Sequence, residues 1–152
     1  MNLHICKLHP NAKIPTYATD GSACFDLYAA TVNGAKNIGD VVYQGNPATV
    51  DTGLAFEVPP GWMLKIHPRS GLKFKYGVEA FAGVIDSDFR GSVQILLESA
   101  DDNDDMPPLR INPGDCVAQA SMIPSPRVTF HVVEQLSITE RGAGGFGSTG
   151  EA

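Results

Sequence analysis

Residues 141–150 read RGAGGFGSTG, with five glycines around one Arg, one Phe, one Ser and one Thr. Glycine lets consecutive backbone N–H groups turn inward as an anion-binding nest. Ser148 and Thr149 add hydroxyl donors beside Gly147, Arg141 adds a guanidinium fork for phosphate, and Phe146 offers a ring face to a base. The set suits a nucleotide triphosphate; the plain alternative is a loose tail. It is not a Walker loop, because the Gly-Lys-[Ser/Thr] ending is missing.

Four further segments carry candidate chemistry. Pro68-Arg69-Ser70-Gly71-Leu72 follows an apolar strand and opens the one helical turn the pattern predicts. There, free N–H groups and a hydroxyl could meet a phosphate, or Ser70 could simply cap the turn beside a surface Arg69. In Gly83-Val84-Ile85-Asp86-Ser87-Asp88-Phe89-Arg90-Gly91, two carboxylates two residues apart would share one face of a strand end. They could position a water and accept its proton, or they could satisfy backbone N–H groups of a turn. Asp26 sits in the apolar start of Cys24-Phe25-Asp26-Leu27 and, if buried, needs a partner or a cation. Gln119 is the polar amide of the run Val117-Ala118-Gln119-Ala120, placed to bond either a ligand or a backbone group.

The elements that must hold these residues are short. With 16 Gly and 11 Pro among 152 residues, turns recur every few positions and leave room for strands but few helices. Alternation and β-branched content predict strands at 3–8, 24–30, 53–58, 62–67, 92–98, 115–123 and 128–134, with one helical turn at 70–76. The fold class is all-β, of the sandwich or jelly-roll kind. A hydrophobic fraction of 43% is enough for one core, and no polar linker divides the chain. The run ADDNDDMPP at 100–108 cannot continue a central strand and reads as an exposed loop. No run of 18 apolar residues is present and the start lacks a secretory pattern, so a soluble protein is expected. Cys6, Cys24 and Cys116 lack paired spacing and read as free thiols of a reducing cytoplasm. The formal charge of −6 argues against a duplex nucleic-acid partner.

Taken in order, the five segments resemble the five motifs of the trimeric dUTPase family, over residues 17–150. The resemblance implies a homotrimer of distorted jelly-roll β-barrels, with a domain at 1–140 and a C-terminal arm at 141–152 exchanged between subunits. Each active site would be shared, drawing the second and fourth motifs from one chain, the third from a neighbour and the arm from the remaining one. The implied reaction is hydrolysis of dUTP to dUMP and pyrophosphate by water attack on the α phosphorus. It would limit uracil incorporation into DNA and supply dUMP for dTMP synthesis.

By motif match, Asp86 would be the general base and Phe89 would pack beneath the deoxyribose. Arg69, Ser70, Gly71 and Gln119 would hold phosphates or water, and Asp26 would reach Mg2+ through a coordinated water. Backbone groups of the hairpin at 78–84, with Gly83, Val84 and Ile85 at its end, would read uracil. The arm would stack Phe146 on the base and bring Arg141, Gly147, Ser148 and Thr149 to the γ phosphate. This chain departs from the common pattern at Phe89, where most members carry Tyr, and at Cys24 and Tyr28, where Gly and Arg are usual. A dCTP deaminase of the same fold, or an idle nucleotide-binding regulator, are the competing readings.

Overall fold

The computed structural model describes residues 1–33, 40–42, 47–99 and 106–145. Two antiparallel sheets carry the core. The first has five strands in the order β10-β8-β13-β3-β2, with β2 at Thr16–Tyr17, β3 at Phe25–Tyr28, β8 at Trp62–His67, β10 at Val84–Ile85 and β13 at Cys116–Pro124. The second runs β4-β6-β11-β9, at Thr31–Asn33, Ala48–Asp51, Gln94–Ser99 and Val78–Phe81. Two small pairs flank them: β1 (His4–Lys7) with β7 (Leu54–Glu57), and β5 (Asp40–Val42) with β12 (Leu109–Ile111). The architecture is the jelly-roll-like all-β fold that the turn-rich sequence predicts.

Period-2 alternation decides which side chains face inward. Phe25 and Leu27 on β3, Leu64 and Ile66 on β8, and Ala118 and Ala120 on β13 are buried. So are Val50, Ile95, Leu97 and Val78 of the second sheet, and both inner faces join one cluster. Burying each of the larger aliphatic side chains contributes about 1.5–3 kcal/mol. Among the described residues Thr52 is the buried polar exception. Its hydroxyl donates to the Val93 carbonyl at 2.9 Å and accepts from the Leu54 N–H at 3.2 Å, so its burial leaves no orphan.

Three sequence expectations change here. The strand predicted at 128–134 is absent: β13 ends at Pro124, and residues 125–145 form neither helix nor strand. Their apolar side chains face solvent, Phe130 at 89%, Val132 at 101% and Ile138 at 91% exposure, because nothing among the described residues lies against them. The predicted helix does form, as α1 (Ser70–Tyr76), but its N-cap is Arg69 in extended conformation with no side-chain cap bond, so Ser70 is not the cap. Finally, Asp86 and Asp88 do not share a strand face. β10 stops at Ile85, and the Phe89 N–H bonds the Asp86 carbonyl at 3.2 Å, closing a turn.

Candidate active site

One row of the five-stranded sheet gathers polar side chains on the face opposite the core. Thr16 stands opposite Asp26, Asp26 opposite Gln119, and Gln119 opposite His67, across β2, β3, β13 and β8. The row follows from register. Phe25, Ala120 and Ile66 point into the core at the adjacent positions, so their neighbours must point out. A bulge between Cys116 and Ala118 sets this phase on β13. Directly after His67 the chain enters Pro68-Arg69-Ser70-Gly71, so the second segment opens at the end of the row.

Within the row, the Gln119 Nε2 donates to Asp26 Oδ1 at 3.0 Å. Asp26 is half-buried, and this bond answers the sequence question of how an acid survives there. His67 Nε2 and Ser121 Oγ lie 2.9 Å apart beside it. This pair escaped the sequence reading, although the outward phase of Lys65, His67, Gln119 and Ser121 was there to be counted. The Arg69 guanidinium donates from Nη1 to the Cys116 carbonyl at 2.7 Å, tying the loop before α1 to the start of β13. Burial pushes the Cys116 thiol up to about 11, Arg69 working against that shift and Asp26 with it. The thiol therefore stays protonated at neutral pH and is no nucleophile. Ser70 and Gly71 are exposed at the first turn of α1, whose first bonds run from the Leu72 and Lys73 N–H groups to the Arg69 carbonyl. The Ser70 hydroxyl has no partner among the described residues.

Asp86 does not join this cluster within one chain. Ile85 pairs with Leu64, three residues before His67 on β8, and Asp86 lies beyond it. That offset is roughly 10 Å along the strand. Gly83, at φ 65°, turns the hairpin and accepts from the Ile66 N–H at 3.1 Å; Val84 is exposed and Ile85 buried. Asp86, Asp88 and Phe89 are all exposed. Arg141, also exposed, donates from Nε to the Gly144 carbonyl at 2.9 Å and so curls its own segment. Phe146, Gly147, Ser148 and Thr149 lie outside the described residues, as do Asp101 to Asp105 of the acidic loop.

No group of three or more His, Cys, Asp or Glu side chains able to hold a metal exists among the described residues. A single half-buried carboxylate, one oxygen already bonded by an amide, cannot cage a cation. It suits a cation that brings its own oxygen ligands and water, as Mg2+ bound to phosphates does.

A jelly-roll-like β protein, with an acid-amide row leading into an Arg-Ser-Gly turn and a separate acidic hairpin, is the class this geometry defines. Residues 10–150 match the dUTPase family. The deoxyuridine 5'-triphosphate nucleotidohydrolase of Nautilia profundicola is 42% identical over 99% of this chain and 100% of the relative. That of Brucella melitensis biotype 2 is 43% identical over 91% of this chain and 85% of its own. Among solved structures, the Staphylococcus bacteriophage 80alpha dUTPase with dUPNHPP superposes with a TM-score of 0.84 at 24% identity, covering 99% of both chains. A variant of the phage phi11 dUTPase of S. aureus, described with a structural Mg(II) ion, matches at a TM-score of 0.75 and 22% identity. It covers 89% of this chain and 98% of its own. The chain belongs to the dUTPase family.

Proposed function

We propose that this protein is a dUTP diphosphatase that releases dUMP and pyrophosphate by water attack on the α phosphorus. The observation that carries the reading is the register row of Asp26, Gln119 and His67 leading into Arg69-Ser70-Gly71, in a chain of this family. Arg69, Ser70, Gly71 and Gln119 bind the phosphates and the attacking water, and Asp86 accepts the proton. Phe89 lies beneath the deoxyribose, and Gly83, Val84 and Ile85 belong to the hairpin that reads uracil. Asp26 would hold Mg2+ through a water, and the charge neutralisation such a cation would supply to the phosphates suits departure of pyrophosphate.

The separation of Asp86 from the row supports a site shared between copies, in which the Asp86 of one subunit serves the row of another. The bare apolar strip at 128–138 supports the same assembly, a homotrimer with exchanged C-terminal segments. An open apolar groove of about 480 Å³, lined by Leu3, Ile5, Pro15, Phe25 and Met122 among others, offers such a surface. The arm at 141–152, with Arg141, Phe146, Gly147, Ser148 and Thr149, closes over base and γ phosphate as a unit distinct from the 1–140 barrel. No helix among the described residues is long and apolar enough to cross a membrane, and three free cysteines agree with a cytoplasmic setting.

Pyrophosphate release from dUTP, dCTP, dTTP and UTP with Mg2+ tests this. Turnover of dUTP far above the other three is expected, falling as dilution separates the subunits. Deamination of dCTP, or nucleotide binding without turnover, would overturn it.

A further inference from the structure

The turn that carries Asp86 and Phe89 is held by a residue with no assigned role. Arg90 Nη1 donates to the Ser87 carbonyl at 2.7 Å and to the Phe89 carbonyl at 2.9 Å. A single guanidinium nitrogen thus bridges two carbonyls that the turn would otherwise leave to water. Its other nitrogen, Nη2, lies 3.9 Å from Glu57 Oε1, and the second oxygen of Glu57 lies 2.8 Å from His4 Nδ1. His4 stands directly opposite Glu57 in the β1-β7 ladder, so this end of the brace is fixed to a strand pair. The hydrogen bond and charge of His4, with a smaller contribution from Arg90, hold Glu57 below the usual carboxylate range, which keeps it ionised opposite Arg90.

Two neighbouring features finish the arrangement. A Cβ built on Gly91 would come within 2.6 Å of the Phe89 ring tip, so the ring rests on a backbone that only glycine leaves bare. Past Gly91 the chain is tied down again, as Ser92 Oγ donates to Asp51 Oδ1 and the Val93 N–H bonds the Leu54 carbonyl at 2.9 Å. Upstream, Ile85 is buried in the core cluster. Between these anchors, the four residues from Asp86 to Phe89 are restrained chiefly by one turn hydrogen bond and by the Arg90 fork.

We propose that Arg90 is a positioning residue for the hydrolysis, its guanidinium clamping the Ser87 and Phe89 carbonyls to Glu57 so that the Asp86 carboxylate is presented in one geometry. The proposal rests on the dUTP diphosphatase reading and on Asp86 as the base. Arg90 acts through the backbone of the turn and not on the reacting atoms. Its removal therefore misplaces a proton acceptor without removing a binding contact, and positional errors of about 1 Å can cost up to a hundredfold in rate.

The test is a cycle of Arg90→Met and Arg90→Lys in the native chain and in Asp86→Asn, with kcat, KM and melting temperature measured for each. In the native background, Arg90→Met is expected to lower kcat on the order of tenfold or more with KM within about twofold. Arg90→Lys keeps one donor nitrogen for the two carbonyls but has no second nitrogen to face Glu57, so it should recover only part of that. In the Asp86→Asn background the same change should cost less than about twofold, because there is no base left to misplace. Glu57→Gln, at a half-exposed side chain, is the gentler variant if Arg90→Met fails to fold, and it should show the same background dependence at smaller size. Equal losses in both backgrounds, or an unchanged kcat in a folded Arg90→Met protein, would overturn the brace while leaving the diphosphatase intact. A native chain that does not turn over dUTP would overturn both.

Discussion

β13 and the chain just beyond it carry similar alternation and meet opposite fates. In β13, Ala118 and Ala120 are buried and Gln119 and Ser121 face outward, with β3 and β8 on either side. A few residues later, Val128, Phe130 and Val132 repeat the period of two, yet all three are exposed. Alternation states that one face needs cover; it does not state which chain supplies the cover. The candidate site divides the same way. Asp26, Gln119 and Arg69 are tied to the sheet itself, whereas among the described residues Arg141 meets only the Gly144 carbonyl of its own segment.

The strongest challenge to that division falls at Asp86, which follows directly on the sheet strand β10 but lies in a turn and stands apart from the row. Asp86→Asn should keep dUTP binding and lower kcat by on the order of a hundredfold or more, the usual range for losing a positioned base. The amide is nearly isosteric and cannot accept the proton. Asp88→Asn, in the same turn, should chiefly lower the melting temperature. If kinetics show the reverse in folded proteins, Asp88 is the base, and the outward row has been matched with the wrong carboxylate.

Strand positions around the site were legible because strong inward residues fixed their phase. Leu64 and Ile66 predict an outward Lys65 and His67, and the β8 limits of 62–67 were read without error. Shorter strands escaped, among them Thr31–Asn33, Ala48–Asp51 and Leu109–Ile111, since three or four residues carry too little alternation to stand out from turns. The Asp26 to Gln119 bond spans 93 residues and could not be read from local pattern; it needed the β3-β13 register. Ser70 was misread as a possible cap because a hydroxyl near a helix start is the commonest cap, but here the extended residue is Arg69. The arm residues Phe146 to Thr149 rest on sequence alone.

Removing residues 141–152 sharpens the contrast at a smaller effect. Nothing described in 141–145 packs into the core, so melting temperature and subunit assembly should hold. Turnover should fall by roughly tenfold or more, since the γ-phosphate and base contacts proposed for the arm would go with it. Ordering such a Gly-rich segment costs about 1–2 kcal/mol per residue fixed, so closure should need the full triphosphate, and dUDP should protect the arm from protease far less than a dUTP analogue. Kinetics unchanged by truncation would make the arm an appendage and leave the sheet-held residues as the whole site.

The smallest effect is expected at Phe89, in the turn that follows β10. Its ring is exposed and its tip lies close to Gly91, where the missing Cβ leaves room beside it. Phe89→Tyr should therefore leave dUTP kcat/KM within about twofold, since no existing contact is removed. Discrimination against UTP should rise a few-fold, because a ring lying beneath the deoxyribose would set its new hydroxyl where a ribose carries an extra group, and one crowded or unpaired hydroxyl is worth only about 1–3 kcal/mol. Parallel kcat/KM measurements on dUTP and UTP decide it. A loss of dUTP turnover beyond about tenfold would show that the turn, its Arg90 clamp and Gly91 are shaped around a ring without a hydroxyl. The replacement of the usual Tyr would then be a constraint of this pocket and not a neutral change.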